Sequence, residues 1–353
     1  MALPSSESIA KGVNKLNLKE IHIKAKERFG GVCRVCRICD GAVCAGQIPG
    51  IGGLGTGESF QANLKALAKY RLNLRTIHPH SDPDPGVELF GLKLGLPVMA
   101  APVAGARINF QDRIGEKALA SHCLEGSISA GTIGMTGDGP LPEIFDQGLE
   151  AITDAGGKGI PVIKPREQAA AIERIHRAEQ AGAVAFGVDI DAAGLINMTR
   201  RGQKVGPKTV DELRELAEFT RLPLVLKGIM TADEAELAAS AGVYAIVVSN
   251  HGGRALDHTP GTAEVLPEIA AAVKGRVKIL ADGGIRSGAD VLKMLALGAD
   301  AVLVGRPLTI AAFGGGAEGV RLQLEQYADE LTAAMILTGC PDVASAGQHL
   351  LRG

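Results

Sequence analysis

The sequence predicts a (β/α)8 barrel preceded by a helical, cysteine-rich extension. From residue 96 onward, eight short runs of small and β-branched residues alternate with helical patterns. The helical patterns end in glycine or run into a Gly/Pro stop, as helices that hand over to buried strands do. The series fills roughly 210 residues, within the usual size of such a barrel. An open doubly wound sheet is the other arrangement of alternating strands and helices, and the count of eight argues against it. The extension is placed at residues 1–75 and the barrel at 76–353.

The strand patterns lie at Pro97–Pro102, Gly126–Thr132, Gly159–Lys164 and Val184–Ile190. Four more follow at Pro223–Gly228, Tyr244–Asn250, Val277–Gly284 and Asp300–Pro307. Helical patterns between them include 166–182, 208–220, 231–242 and 287–298. With 46% apolar and 22% charged residues among 353, the chain can bury a large core. A net charge of −2 with dispersed Lys and Arg leaves no nucleic-acid footprint. The most apolar run, Leu94 to Ala106, is interrupted by Pro97 and Pro102 and is too short to span a bilayer. No apolar stretch with a cleavage site opens the chain. The expectation is a soluble cytoplasmic protein without membrane or nucleic-acid partners, whose six cysteines do not form structural disulfides.

In the extension, Leu18, Ile21 and Ala25 recur at helical spacing. Then come Cys33, Cys36, Cys39 and Cys44 in the run CRVCRICDGAVC. Gaps of two residues let successive thiolates converge on one centre, as in iron–sulfur and zinc sites. A [4Fe-4S] cluster is favoured over zinc because a redox flavin is read downstream; the bland alternative is a metal-free, reduced loop. Gly50, Gly52 and Gly55 satisfy G-x-G-x-x-G, but no strand precedes them, so a dinucleotide site does not follow. That stretch reads as a loop in a position to lie over an active site, followed by a helix from Glu58 to Tyr70. His78 and His80 read as exposed loop histidines.

The reactive residues gather where the strand patterns stop, which in a barrel of this kind is the catalytic face. Strand five ends in Lys227, and strand six in Ser249, His251, two glycines and Arg254. Strand seven ends in Asp282, Gly283, Gly284 and Arg286, strand eight in Gly305 and Arg306. Glycine amides and arginines after strands seven and eight suit a phosphate. A phosphate there, a lysine on strand five and a titratable histidine on strand six point to FMN across the mouth, with His251 as base.

These residues resemble the FMN-dependent α-hydroxy acid dehydrogenases and oxidases, of the glycolate oxidase and lactate oxidase kind. The likeness rests on LKGIMTADEAELAASAG, SNHGGRALDHTPGT, ILADGGIRSGADVLKMLALGADAVLVGRP and LTGC, and extends to LPVMAAPVAG, SISAG and GTGESFQANLKAL. It implies oxidation of a 2-hydroxy acid or related alcohol to the 2-oxo product, with His251 taking the proton and Arg254 binding the carboxylate. Lys227 would sit near the flavin's pyrimidine edge, and Ala101, Pro102, Val103 and Ser129 against its ring. Asp282 would bind the ribityl chain or pair with His251, while Gly284, Arg286, Gly305 and Arg306 hold the phosphate. Asp257 would orient a neighbour or brace a turn. A homo-oligomer is implied in the same way; an electron-carrier partner is expected if Cys33–Cys44 holds an iron–sulfur cluster through which the electrons leave.

The departures are specific. The family's glutamine and tyrosine after strand three are replaced by GIPVIKP, which offers only Lys164. After strand four, Gly187 takes the place of a threonine, and Arg200 and Arg201 come too late for the family's second carboxylate anchor. The N-terminal tyrosine is lost to QIPG, and the four clustered cysteines lie outside the family pattern. Cys123 and Cys340 read as packed structural thiols. Two other readings stay in view: a flavin-dependent isomerase of the type 2 isopentenyl-diphosphate isomerase kind, which shares a related FMN barrel but whose Gln/Glu pair is not found here, and a non-catalytic flavin or metal sensor, suggested by these losses and opposed by His251, Arg254 and Lys227.

Overall fold

Eight parallel strands close on themselves in a computed structural model that describes residues 16–352. They are β1 (Val98–Ala100), β2 (Gly134–Thr136), β3 (Gly159–Ile163) and β4 (Phe186–Asp189), followed by β5 (Leu224–Ile229), β6 (Ala245–Val248), β7 (Lys278–Ala281) and β8 (Ala301–Val304). Each pairs with its neighbour in chain order, and β8 returns to β1 with Val302 opposite Val98 and Val304 opposite Ala100. The expected (β/α)8 barrel is therefore the fold.

Two apolar layers hold it. Inward side chains such as Met99, Met135, Val162, Val225, Val247, Leu280 and Leu303 fill the barrel, and outward ones such as Leu226, Ile246, Ile279 and Val302 meet the helices. That both faces are buried explains why these strands read as unbroken apolar runs rather than alternating ones. A hairpin of Val87–Leu89 and Leu92–Leu94 closes the bottom, with Phe90 N–H donating to Tyr244 Oη at 2.9 Å. The opposite face, where the strands end, is left for chemistry. Local signals set the helix starts around it: Thr209 and Glu212 form a reciprocal capping box, Thr231 caps the next helix and Ser287 the helix after β7.

Before the barrel, α1 (Leu18–Phe29) buries Ile21 and Ala25 as read from the sequence, with Leu18 half-buried, and adds Phe29 to that face. Phe29 stacks on Phe313 with ring centroids 3.8 Å apart. Phe313 lies in the long helical stretch after β8, Arg306–Thr338, which bends at Gly316 with φ 60°. Next, α2 (Glu58–Lys69) buries Phe60, Asn63, Ala66 and Leu67. The extension thus contributes to the same core as the barrel, and Arg71–Leu72 pairs with Leu351–Arg352 near the chain's end.

The strand expected at Gly126–Thr132 is a correction. Residues up to Ser129 finish α3 (Glu116–Ser129), and β2 begins only at Gly134. Leu119, Ala120, Cys123, Leu124 and Ser127 form a buried helical face. Gly126 is needed there because a Cβ would come within 2.6 Å of the Ala317 carbonyl oxygen. A run of small residues chosen for close helix packing looks like a buried strand when only composition is read.

Candidate active site

The carboxyl ends of the strands ring a cavity of about 220 Å3. After β6 the chain turns through His251, Gly252 and Gly253 at φ 59°, 63° and 77°. For histidine that left-handed conformation costs about 1–2 kcal/mol. It is braced by Ser249 Oγ, which accepts the His251 N–H at 3.0 Å and donates to Asp282 Oδ2 at 2.9 Å. Buried Asn250 ties the same turn to α2, through Asn63 Nδ2 at 2.8 Å and the Ser59 carbonyl at 3.2 Å.

His251 Nδ1 lies 2.9 Å from Asp191 Oδ1. A carboxylate there holds the proton on Nδ1 and leaves Nε2 as the basic nitrogen. Pairing of Asp282 with His251 was one expectation; the partner is Asp191, because the turn after β4 passes over the end of β5 at Gly228 while Asp282 is engaged by Ser249. Asp282 instead lies 3.9 Å from Lys227 Nζ. Burial raises its pKa, against the pull of Lys227 and Ser249.

Asp189, at the end of β4, is the charged centre of the mouth. Lys164 Nζ donates to its Oδ2 at 2.7 Å, and Lys227 Nζ is 3.1 Å from Oδ1. Burial alone would raise Asp189, but the two ammonium groups hold it well below the usual carboxylate range. Burial would likewise lower Lys227, yet Asp189, Asp191 and Asp282 keep it above the ordinary lysine value. A second buried ion pair supports this wall: Arg166 Nε and Nη2 donate to Asp138 at 2.8 and 3.0 Å, and Asp138 also receives the Lys164 N–H.

Opposite stand the arginines. Arg254 Nη1 donates to the Gly50 and Gly52 carbonyls at 2.7 and 3.1 Å, and Nη2 to Asn109 Oδ1 at 3.1 Å. Arg306 donates to the carbonyls of Ile51, Gly52 and Gly252 and lies 3.7 Å over the Phe60 ring. Burial pushes Arg254 down to about 10 and Arg306, which also feels Arg254, down to about 9. Two enclosed guanidiniums facing only carbonyls and an amide favour an incoming anion. Beside them, Gly283 and Gly284 take φ 95° and 81°, giving a floor without side chains.

The cavity wall therefore unites Ala101, Pro102, Val103, Lys227, His251, Arg254, Asp282, Gly283, Gly284, Arg286, Gly305 and Arg306 as expected. Ser249 stands behind it, bracing the turn. Ser129 does not take part: it is exposed at the end of α3, a consequence of the misread second strand. Asp257 braces the loop before α2, accepting from Thr56 N and Oγ1 at 2.6 and 2.8 Å. That loop does lie over the mouth, with Leu54 N–H donating to the Gly253 carbonyl at 2.7 Å. Asp189, Asp191 and the Asp138–Arg166 pair went unread, although two carboxylates in VDID at a strand end were a usable signal. Asn109 and the apolar rim of Ile48, Leu195 and Met198 carry no such mark.

The four thiols of Cys33, Cys36, Cys39 and Cys44 are free. Among the described residues, the group of three or more potential ligand atoms within 4.8 Å of one another is Asp189, Asp191 and His251, not the cysteines. Zinc bonds of about 2.3 Å in a tetrahedron need sulfurs nearly 4 Å apart, so no such tetrahedron stands ready. Burial first, and then the other three sulfurs, push Cys33 up to about 11 against the Val35 N–H, which lowers it.

A barrel with a carboxylate-held imidazole, a lysine and an anion-seeking glycine–arginine wall is built for a phosphorylated, electron-accepting cofactor and an acidic substrate. A model of FMN-dependent dehydrogenases matches residues 51–206 and 203–353. The chain belongs to that family. It is 34% identical over 332 residues to 4-hydroxymandelate oxidase of Amycolatopsis orientalis, covering 84% of this chain and 90% of the relative. Human 2-hydroxyacid oxidase 1 is 32% identical over 340 residues, covering 84% and 88%. L-lactate oxidase of Lactobacillus jensenii is 32% identical over 315 residues, covering 81% and 76%. A crystal structure of mandelate oxidase with (S)-2-phenylpropionate superposes with TM-score 0.76 at 34% identity, covering 95% of this chain and 97% of that one. The family match begins at residue 51, after the last clustered cysteine. The residues fit FMN: unneutralised guanidiniums and a side-chain-free floor await its phosphate, and Lys227 lines the same cavity from the end of β5.

Proposed function

We propose that the chain oxidises a 2-hydroxy acid to the 2-oxo acid with FMN, using His251 Nε2 as the base. Bound FMN supplies the acceptor of the substrate's hydride equivalent. Asp191 keeps the Nδ1 proton in place, so the imidazolium that forms when Nε2 takes a proton is stabilised by a carboxylate 2.9 Å away. Arg254, without an anion partner, receives the substrate carboxylate. Lys227 provides positive charge where electron density builds on the flavin. The glycines and arginines after β7 and β8 would hold its phosphate, and Ala101–Val103, which line the same cavity, would border its ring.

The observation that carries this reading is the His251–Asp191 pair opening onto the same cavity as Arg254 and Lys227. Anaerobic mixing of the flavin-loaded protein with a panel of 2-hydroxy acids tests it. Bleaching of the flavin absorbance by at least one is the expected result, and no bleaching by any would refute it.

The electrons pass to a carrier protein rather than to dioxygen, and Cys33, Cys36, Cys39 and Cys44 hold a metal centre, iron–sulfur in preference to zinc. A reducing, cytoplasmic setting rests on the sequence reading alone, in which the six cysteines do not form structural disulfides. Assembly as a homo-oligomer rests on the family resemblance alone. Oxygen uptake during turnover separates the acceptors: rapid peroxide formation would remove the carrier.

A further inference from the structure

The cysteine segment is bonded to the guanidiniums of the anion site. Arg286, on the loop after β7, donates Nε and Nη2 to the Cys39 carbonyl at 3.2 and 2.8 Å. The Cys44 carbonyl lies so close to Gly52 that a Cβ there would approach it to 1.9 Å. Gly52 and its neighbours Gly50 and Ile51 in turn accept from Arg254 and Arg306. Gly41, between Cys39 and Cys44, sits on Phe60, whose ring also meets the guanidiniums of Arg306 and Arg286 at 3.7 and 6.0 Å. One strip of chain from Cys39 to Gly52 therefore fixes three arginines.

We propose that Cys33, Cys36, Cys39 and Cys44 ligate an iron–sulfur cluster seated against the arginines that hold the FMN phosphate and the substrate carboxylate, and that cluster and FMN strengthen each other's binding. The proposal rests on the flavin reading above. Four thiols in twelve residues, at gaps of two, two and four, suit a cluster whose irons each take one thiolate. A cluster also spaces its thiolates more widely than one zinc ion does, in keeping with the absence of any three of these sulfurs within 4.8 Å. The Val35 N–H already points at Cys33 Sγ at 3.4 Å, the kind of bond that tunes cluster sulfurs. Cys33 is buried and Cys36 exposed, so the site has an inner wall and an open side.

The coupling follows from the shared strip. This loop has no regular secondary structure to hold it, so occupying the thiolates fixes its main chain. Fixed carbonyls hold each guanidinium on its far side; Arg306 Nη1, which makes no hydrogen bond among the described residues, then remains for an anion. Loss of the cluster frees the loop, and the arginines lose their orientation before the cofactor arrives. Linkage requires the same factor in both directions.

Protein purified without oxygen and reconstituted with ferrous iron and sulfide is compared with the same protein after chelator treatment, and with Cys36→Ser, which alters only the exposed thiol. Iron and sulfide are assayed, the reduced centre is followed by electron paramagnetic resonance, and FMN affinity by quenching of flavin fluorescence. The expected result is about four irons and four sulfides per chain, with FMN bound about 10-fold more weakly when the cluster is removed or Cys36 is replaced. Stoichiometric zinc in place of iron, no metal at all, or a cluster whose removal leaves FMN affinity unchanged would overturn the proposal. Failure of every form to bind FMN would instead defeat the flavin reading.

Discussion

The mouth of the barrel has two arcs of different character. On the arc from β5 to β8, the arginines contact main chain, Arg254 and Arg306 meeting carbonyls, and His251 sits in a glycine turn. On the arc from β2 to β4, charged side chains contact one another, as Asp138 with Arg166 and Asp189 with Lys164. The first arc is arranged to receive external anions and so leaves Arg254 and Arg306 without a carboxylate partner among the described residues. The second is internally neutralised and works as a platform. Lys227 and the His251–Asp191 pair join the two.

Replacing His251 by Gln tests the chemical role of the first arc and carries the largest effect. Flavin reduction should slow by about 10²–10⁴-fold, measured by anaerobic stopped flow, with FMN still bound. A rate within a few-fold of the parent would move the base elsewhere. For the second arc, Asp189→Asn strands the buried Lys164 ammonium, leaves Lys227 only the more distant Asp282, and should cost about 3–5 kcal/mol, read by urea unfolding. The pH dependence has a definite sign. Because the folded state depresses the Asp189 pKa, its contribution is present above the ordinary carboxylate value of about 4 and is lost as pH falls below it through the folded value. The stability gap between parent and Asp189→Asn should therefore narrow on acidification below pH about 4; a constant gap would show that Asp189 acts through packing.

Arg254→Lys sharpens the contrast from the receiving side. It keeps the charge but loses the fork, so kcat/KM should fall roughly 10- to 100-fold while the unfolding midpoint barely moves. A large loss of stability instead would make Arg254 a structural clamp for the loop at Gly50 and Gly52. The smallest effect lies outside both arcs: Thr209→Ala removes one side of the Thr209–Glu212 capping box and should cost about 1 kcal/mol without altering turnover.

The two arcs were also unequally legible. His251, Arg254, Lys227 and the glycine–arginine loops are residue types whose chemistry is clear once they stand at a strand end, and the structure gathers them. Lys164 was seen but had no assigned partner, and Asp189, Asp191, Asp138 and Arg166 were not singled out. Their roles depend on which neighbour they meet, and those neighbours are 25 to 60 residues away. The second strand failed for a local reason: Gly126 and Ser127 are small because α3 packs tightly on the helix around Ala317 and Val320.

By itself the sequence determined the barrel and the chemical equipment of its catalytic face, because a strand buried on both sides must be apolar and its end is the first place a polar group can stand. It also determined that four thiols share one short loop. Only the tertiary structure decided that Asp191, rather than Asp282, holds His251, and that one carboxylate at 189 serves two lysines. Only it decided that the cysteine loop leans on the arginines of the mouth. Such pairings depend on distances of about 3 Å between strand ends, and those distances are fixed by closure of the barrel, not by spacing along the chain.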